Sequence, residues 1–382
     1  MLSGLYSHQN GVWNNSGALR PEDSLLLRSF LDAGYSTASV GKVHLGIPPR
    51  AAGFQVHRNI EHDGCPHTSV PADYPKDWPW KAFGKPGYPQ PIIYATDTCP
   101  RERTYCAVGV NHAIELFETH DFAASPLLLR LSLDRPHTPV SSPKPYDTMY
   151  AARTAAPAFD AAERAAQPPS VRHQRESRDW GAFSEDEVLK IRYYYFGLVT
   201  HLDFEIGRLL DAVERSPQRA NTIVALTCDH GCMLGEHGLY VKGPHYYEET
   251  ARVPFVLSWP GVLPEGCRAA GLVEMIDFLP TLCELAGLEK PPRAAGRSLL
   301  PVIRSESAGR EDVFAEQVYS HNGVRWEAIR TERYCYARYG DGGASLFDLH
   351  ADPEEMRNLA SEAPADLLAD LNRRIDRRLA AR

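Results

Sequence analysis

Two residues set the chemistry to look for. Asp229 and His230 stand side by side at the end of an apolar run, Thr222 to Thr227, and glycines follow them. That run predicts a buried, parallel-type strand, and open α/β sheets gather ligand-binding groups beyond the carboxyl ends of such strands. A carboxylate oxygen beside an imidazole nitrogen suits a divalent cation, with calcium, magnesium and manganese all compatible. Asp-His-Gly is also short enough to be a strand-terminal turn with a solvated histidine. Glu236 and His237 form a second cluster, and Lys242 lies close behind. Lys42 and His44, two apart after another strand, bring a cation and a proton donor to one loop. A fixed lysine stabilises anionic charge, and a histidine can protonate a departing oxygen. His137 sits between Pro136 and Pro139 in a loop of restricted backbone freedom. Each group alone reads equally as a solvated surface residue. Together they follow predicted strands whose loops would open on one edge of a parallel sheet.

The elements that must position these groups are legible in outline. Pro21 marks a helix start, Leu25 to Leu31 supply its apolar face, and Gly34 ends it. Tyr35 to Val40 reads as a strand, 103–119 as a helix, and Pro126 to Leu133 as a buried strand ending at Asp134. Ser184 and Glu187 form a capping box. Behind it Val188, Ile191, Tyr195, Leu198, Leu202, Ile206, Leu209 and Val213 mark one face of a long helix. Val253 to Trp259 is a further strand, and 275–287 a helix. Residues 47–100 and 141–183 lack periodicity. The first is rich in Pro, Trp and Tyr and reads as a surface excursion of the kind that often binds ligands. The second, rich in Ala, Pro and Arg, reads as a mobile lid or surface loop. Trp78, Trp80 and Tyr88 could pack a sugar or aryl group, or simply pack their own loop. Strands alternating with helices predict an α/β fold over 1–309. A small α+β subdomain is expected over 310–382, with strands at Trp326 to Arg330 and Tyr334 to Arg338, a hairpin at Asp341-Gly342, and a helix from about 363.

Composition narrows the function classes. The 382-residue chain carries a formal charge of −8, which argues against nucleic-acid binding. It leaves room for an anionic small substrate, because a local group of Lys and His outweighs the distant field. Eight cysteines contain no Cys-x-x-Cys pair, so zinc ribbons and thioredoxin-type motifs are excluded and reduced thiols are expected. No apolar run is long enough to span a bilayer. Met1 is not followed by a signal-peptide pattern. A cytoplasmic protein is expected if Met1 is the true start, and an exported one if an upstream segment precedes it.

With these residues in hand, a family resemblance emerges. Gly34-Tyr-Ser-Thr-Ala-Ser-Val-Gly-Lys-Val-His-Leu-Gly46 resembles the Gly-Tyr-x-Thr-Ala-x-x-Gly-Lys-Trp-His-Leu-Gly signature of the sulfatase family, with Val43 in place of Trp. Asp229-His-Gly-Cys-Met-Leu-Gly-Glu-His-Gly-Leu-Tyr-Val-Lys242 is similar to the family's second metal-binding segment. Arg252-Val-Pro-Phe-Val-Leu-Ser-Trp-Pro-Gly261 and Leu346-Phe-Asp-Leu-His-Ala-Asp-Pro-Glu-Glu-Met-Arg-Asn-Leu359 also resemble family landmarks. The resemblance implies an alkaline-phosphatase-like sandwich, with a large, mostly parallel sheet between helices. It implies hydrolysis of a small-molecule or carbohydrate sulfate ester at one divalent cation, usually Ca2+. Asp229 and His230 would then be metal ligands, and Lys42 and Lys242 would contact sulfate oxygens. His44 would help hold the nucleophile, and His137 would act at the leaving-group oxygen.

One departure is large. The family's nucleophile is a formylglycine made within Cys/Ser-x-Pro-x-Arg, just before the Leu-x-Gly-Leu-Tyr-x-His segment, which begins here at residue 2. That motif is absent from residues 1–382. Cys99-Pro-Arg-Glu-Arg103 has its proline at the wrong offset and follows the segment it should precede. Two N-terminal Asp ligands and a first core strand are expected earlier still. Three readings follow: a sulfatase whose sequence here starts at an internal Met, an anion-binding pseudoenzyme, and a phosphonate or phosphate ester hydrolase of the same superfamily.

Overall fold

A computed structural model describes residues 1–60, 94–97, 99–138 and 140–381. Trp78, Trp80, Tyr88 and Pro139, and with them most of the 47–100 excursion, lie outside the described residues. Thirteen strands occur among those described. Ahead of the Asp229 loop run β1 (Ser36–Gly41), β2 (Val56–Arg58), β3 (Tyr94–Asp97), β4 (Leu127–Ser132), β5 (Val140–Pro143) and β6 (Val224–Thr227). Around and after it come β7 (Met233–Leu234), β8 (Tyr240–Val241) and β9 (Phe255–Ser258). The chain closes with β10 (Asp312–Val318), β11 (Arg325–Thr331), β12 (Tyr334–Tyr339) and β13 (Ala344–Asp348).

The parallel core is β2-β1-β4, with Ala38 opposite both Val56 and Leu129. A further parallel pair joins β3 to β5. Apolar, β-branched and small residues fill β1, whose last five positions are all buried. Gly41 ends the strand at φ 88°, and a Cβ there would run into the Ser132 carbonyl of β4. A glycine is therefore required just before Lys42.

One strand departs from expectation. The Thr222 to Thr227 run forms β6, but β6 pairs antiparallel with β9, and Ala225 and Val256 are exposed. Its other edge has no ladder partner among the described residues. An apolar run specifies extended backbone, and strand direction is set by where the chain returns. Here it returns through the site loop in the opposite sense. β4 is likewise half-buried rather than buried.

The long helix forms as its capping box predicts. It runs Glu185–Arg215, with Ser184 and Glu187 bonded reciprocally, and it packs on β5 and on the helix Tyr105–Thr119. The 141–183 stretch is more ordered than a mobile lid. It contains helices Ala161–Ala166 and Pro169–Ser177, with Val171, Gln174 and Arg175 buried. The 275–287 helix is shorter, Phe278–Leu285 behind a 3-10 turn. β10 to β13 make an antiparallel sheet covered by helix Ala365–Ala380, with Phe314, Ile329, Leu346, Leu371 and Ile375 in the seam. Cys106, Cys228, Cys232, Cys267, Cys283 and Cys335 are free thiols. No helix among the described residues is long and apolar enough to cross a membrane.

Candidate anion site

Three strand ends converge on the site. Lys42 follows β1, Asp134 and His137 follow β4, and Asp229 and His230 follow β6; Lys242 arrives behind the small β7–β8 hairpin. Lys42 Nζ lies 3.4 Å from Asp134 Oδ1. Lys242 Nζ lies 2.9 Å from His230 Nε2, and His230 Nδ1 is 2.8 Å from the Gly231 carbonyl. That pairing fixes the tautomer: Nδ1–H donates to the carbonyl and Nε2 accepts from the ammonium. His137 has the same arrangement, with Nδ1 2.8 Å from the Thr138 carbonyl, so Nδ1–H donates there and Nε2 is left as the acceptor.

The electrostatics join these groups. Burial lowers the His137 pKa below 6.5, and Lys242 and Lys42 lower it further. Burial likewise lowers the Lys242 pKa, opposed by Asp229 and reinforced by Lys42. Each cation raises the cost of the next, while Asp134 and Asp229 offset part of that charge.

Of the residues expected from sequence, Lys42, His137, His230, Lys242 and Asp229 are brought together. His44 is not: it is exposed, and no contact among the described residues joins it to the others. It is the third residue after β1, beyond the strand, and follows Val43, which is buried.

Sequence reasoning missed two partners. Asp134 holds Lys42, although only His137 had been singled out in that loop. Arg130, the one charged residue in β4, sits beneath the site and donates to the Lys42 carbonyl at 2.9 Å and to Ser132 Oγ at 2.9 Å. An arginine inside Leu-Leu-Leu-Arg-Leu-Ser was the available signal, since a charge in an apolar strand needs a buried partner.

Asp229 and His230 offer a cation two donors, with Oδ2 and Nε2 3.5 Å apart. No group of three or more His, Cys, Asp or Glu side chains among the described residues is arranged to hold a metal ion. Calcium takes six to eight oxygen ligands, and Nε2 of His230 already accepts from Lys242. The described residues therefore do not complete a divalent-cation shell.

Comparison with known proteins fits this geometry. The sulfatase family model matches residues 1–288. The chain belongs to the sulfatase family. A second model, the C-terminal region of N-sulphoglucosamine sulphohydrolase, matches residues 235–381. The chain is similar to a sulfatase of Formosa agariphila, 31% identical over 259 residues, covering 66% of this chain and 49% of that protein. It is similar to an arylsulfatase of Clostridium perfringens, 27% identical over 385 residues, covering 93% of this chain and 76% of the relative. This sulfatase-family chain thus spans about half to three quarters of those relatives' lengths. The fold resembles that of a phosphonate monoester hydrolase from Silicibacter pomeroyi, with TM-score 0.81, 23% identity, and coverage of 99% and 83%. The alkaline-phosphatase-like class expected from sequence holds.

Proposed function

We propose that the chain provides the anion-binding half of a sulfate ester hydrolase. The observation that carries this reading is the coupled pair of lysines, Lys42 and Lys242, flanking His137, with each lysine lowering the histidine's proton affinity. Two ammonium groups would bind the oxygens of the ester, exchanging their partners Asp134 and His230 for charge-assisted bonds to sulfate. His137 would use Nε2 at the leaving-group oxygen, oriented by its bond to the Thr138 carbonyl. In the free site it is neutral near pH 7. A bound anion would offset the two lysines and draw a proton onto the ring, readying it to protonate the alkoxide or phenoxide.

The formylglycine nucleophile of the family has no motif in residues 1–382. A divalent cation, calcium first, would polarise the ester when bound, with Asp229 and His230 contributing to its shell. The substrate class proposed is a small-molecule or carbohydrate sulfate ester.

The test compares an aryl sulfate with a phenyl phosphonate ester, with and without calcium, and measures inorganic sulfate binding by calorimetry. Sulfate binding that is lost in Lys42→Ala supports the anion site. Preference for the phosphonate would move the reading to phosphoryl esters, which suit the same tetrahedral pocket. Sulfate binding without turnover of either ester would leave an anion-binding protein.

A further inference from the structure

The loop that delivers Lys242 cannot hold its own shape. Between Gly235 and Val241 four residues have positive φ: Gly235 at 109°, His237 at 56°, Gly238 at 64° and Val241 at 58°. For a β-branched residue such as Val241 this conformation is an outlier, and it persists only where surroundings over-determine it. The β7–β8 hairpin within the loop has two residues per strand, too few to impose it.

The restraint comes from the segment between Phe159 and Ser177. Glu163 Oε1 lies 2.5 Å from His237 Nδ1. Gln167 donates to the His237 carbonyl at 2.8 Å, and Gln174 donates to the Lys242 carbonyl at 3.0 Å. Arg175 fixes Gln167 by donating to its Oε1 at 2.9 Å. The Phe159 ring covers Gly238, leaving no room for a Cβ. On the far side the His237 ring stacks on Tyr247, with centroids 3.9 Å apart and planes 9° apart, and Nε2 faces Glu249 Oε2 at 3.7 Å. Glu163, Gln167, Gln174 and His237 are all buried.

We propose that Glu163 and His237 form a buried charged clasp, completed by Gln167 and Gln174, that positions Lys242 in the anion site. His237 is a positioning residue: it acts through the loop. The inference rests on the reading that Lys242 faces the anion. Burial disfavours the His237 cation, yet the bonds to Glu163 and Glu249 prevail and carry its pKa up to about 9, so the clasp is ionic at neutral pH. Among the described residues His245 and Glu355 also sense this ring, and the Tyr247 phenol stacks on it.

The experiment uses the full chain and three variants: Glu163→Gln, Glu163→Asp and His237→Gln. Amide hydrogen exchange is followed over 235–243 and over 325–339, ring NMR reports the His237 charge at pH 7.5, and inorganic sulfate is titrated by calorimetry. We expect Glu163→Gln and His237→Gln to lose at least tenfold protection over 235–243 while 325–339 stays unchanged. Glu163→Gln should also discharge the His237 ring, and Glu163→Asp should recover both signals in part. Sulfate binding should weaken at least fivefold in Glu163→Gln. Protection within twofold of the unaltered chain, or an equal loss in both regions, overturns the clasp. If the unaltered chain fails to bind sulfate, the anion reading falls, while the exchange and ring data still decide the clasp.

Discussion

Replacing Lys242 with Met tests the anion site most directly. The thioether keeps the length of the side chain and removes the ammonium. In the free protein that ammonium donates to His230 Nε2 over 2.9 Å; with sulfate bound it would donate to an oxyanion instead. A charge-assisted hydrogen bond contributes roughly 1.5–3 kcal/mol. At about 1.4 kcal/mol per tenfold, that range corresponds to a ~10–150-fold loss in affinity. Lys42 works against Lys242, as its lowering of the Lys242 pKa shows. Removing one cation relieves that repulsion and moves the expected loss toward the lower end, about tenfold. Calorimetric titration of Lys242→Met with sodium sulfate reads this directly. A second signal is independent of any added anion. Burial is the first cause of the lowered His137 pKa and Lys242 is the second, so the ring should titrate higher in the variant. Sulfate affinity within twofold of the unaltered protein, together with an unmoved His137 titration, would refute the placement of Lys242 in the pocket.

Three further outcomes follow from the same structure. Asp277 is fully buried and accepts from Arg310 Nε at 2.9 Å, from the Arg297 amide at 2.9 Å and from the Glu274 amide at 3.0 Å; Asp277→Asn should cost about 1–3 kcal/mol in a urea titration, because it weakens these buried bonds and leaves Arg310 with Glu274, at 3.2 Å, as its carboxylate partner. The clasp also makes stability fall at alkaline pH. His237 rises from 6.5 unfolded to about 9 folded, so its contribution is fully present below about pH 6.5 and is lost as pH climbs through 9. At ~1.36 kcal/mol per pH unit it amounts to roughly 3 kcal/mol, readable as a lower urea midpoint at pH 10 than at pH 7 that is largely absent in Glu163→Gln. Finally, Gly238→Ala meets both a positive φ and the Phe159 ring, and should cost on the order of 1–3 kcal/mol of stability, read as a lower thermal midpoint, while the same change at the open Gly11 costs less.

Local signals carried well into the fold and poorly into the site. Ser184 and Glu187 predict a helix start and the helix begins there, because a capping box is satisfied within four residues. Gly34 and the Tyr35 run predict β1 for the same reason, with Gly34 at φ 84°. The direction of β6 was not legible, since Val224 to Thr227 would read the same beside either neighbour. His137, Asp229 and Lys242 could be picked out by type and by their place after a strand. Arg130 left a trace as a charge in an apolar strand, though not its partner; Asp134 could not be picked out, because Lys42, which gives it meaning, is 92 residues away. His237 stood out as half of a Glu-His cluster, but its partner Glu163 is 74 residues away. That partner lies in a stretch whose Ala, Pro and Arg content gives no periodicity.

That distance bears on how the site is kept rigid. In an open α/β sheet the loops inherit their positions from neighbouring strands in one ladder. Here β1 and β4 share a ladder, and Lys42 and Asp134 accordingly meet through it, with the Lys42 amide donating to the Ser132 carbonyl at 3.2 Å. Asp229 and His230 hang from β6, which shares a ladder only with β9 among the described residues. Lys242 hangs from a hairpin of two residues per strand. Apart from the Gly231 amide donating to the Thr250 carbonyl at 2.9 Å, the second half of the site is located by side chains: Arg192 of the long helix on the Leu234 carbonyl at 3.2 Å, Gln174 on the Lys242 carbonyl, and Glu163 on His237. Side-chain contacts of this kind couple more strongly to pH and to single substitutions than a backbone ladder does. The Lys42–Asp134 half should accordingly survive changes at Glu163 and His237 that disturb the Lys242–His230 half. Hydrogen exchange at Lys42 and Val43 that stays unchanged in Glu163→Gln, while the Lys242 loop loosens, would separate the two halves; equal loosening of both would mean that one framework holds them.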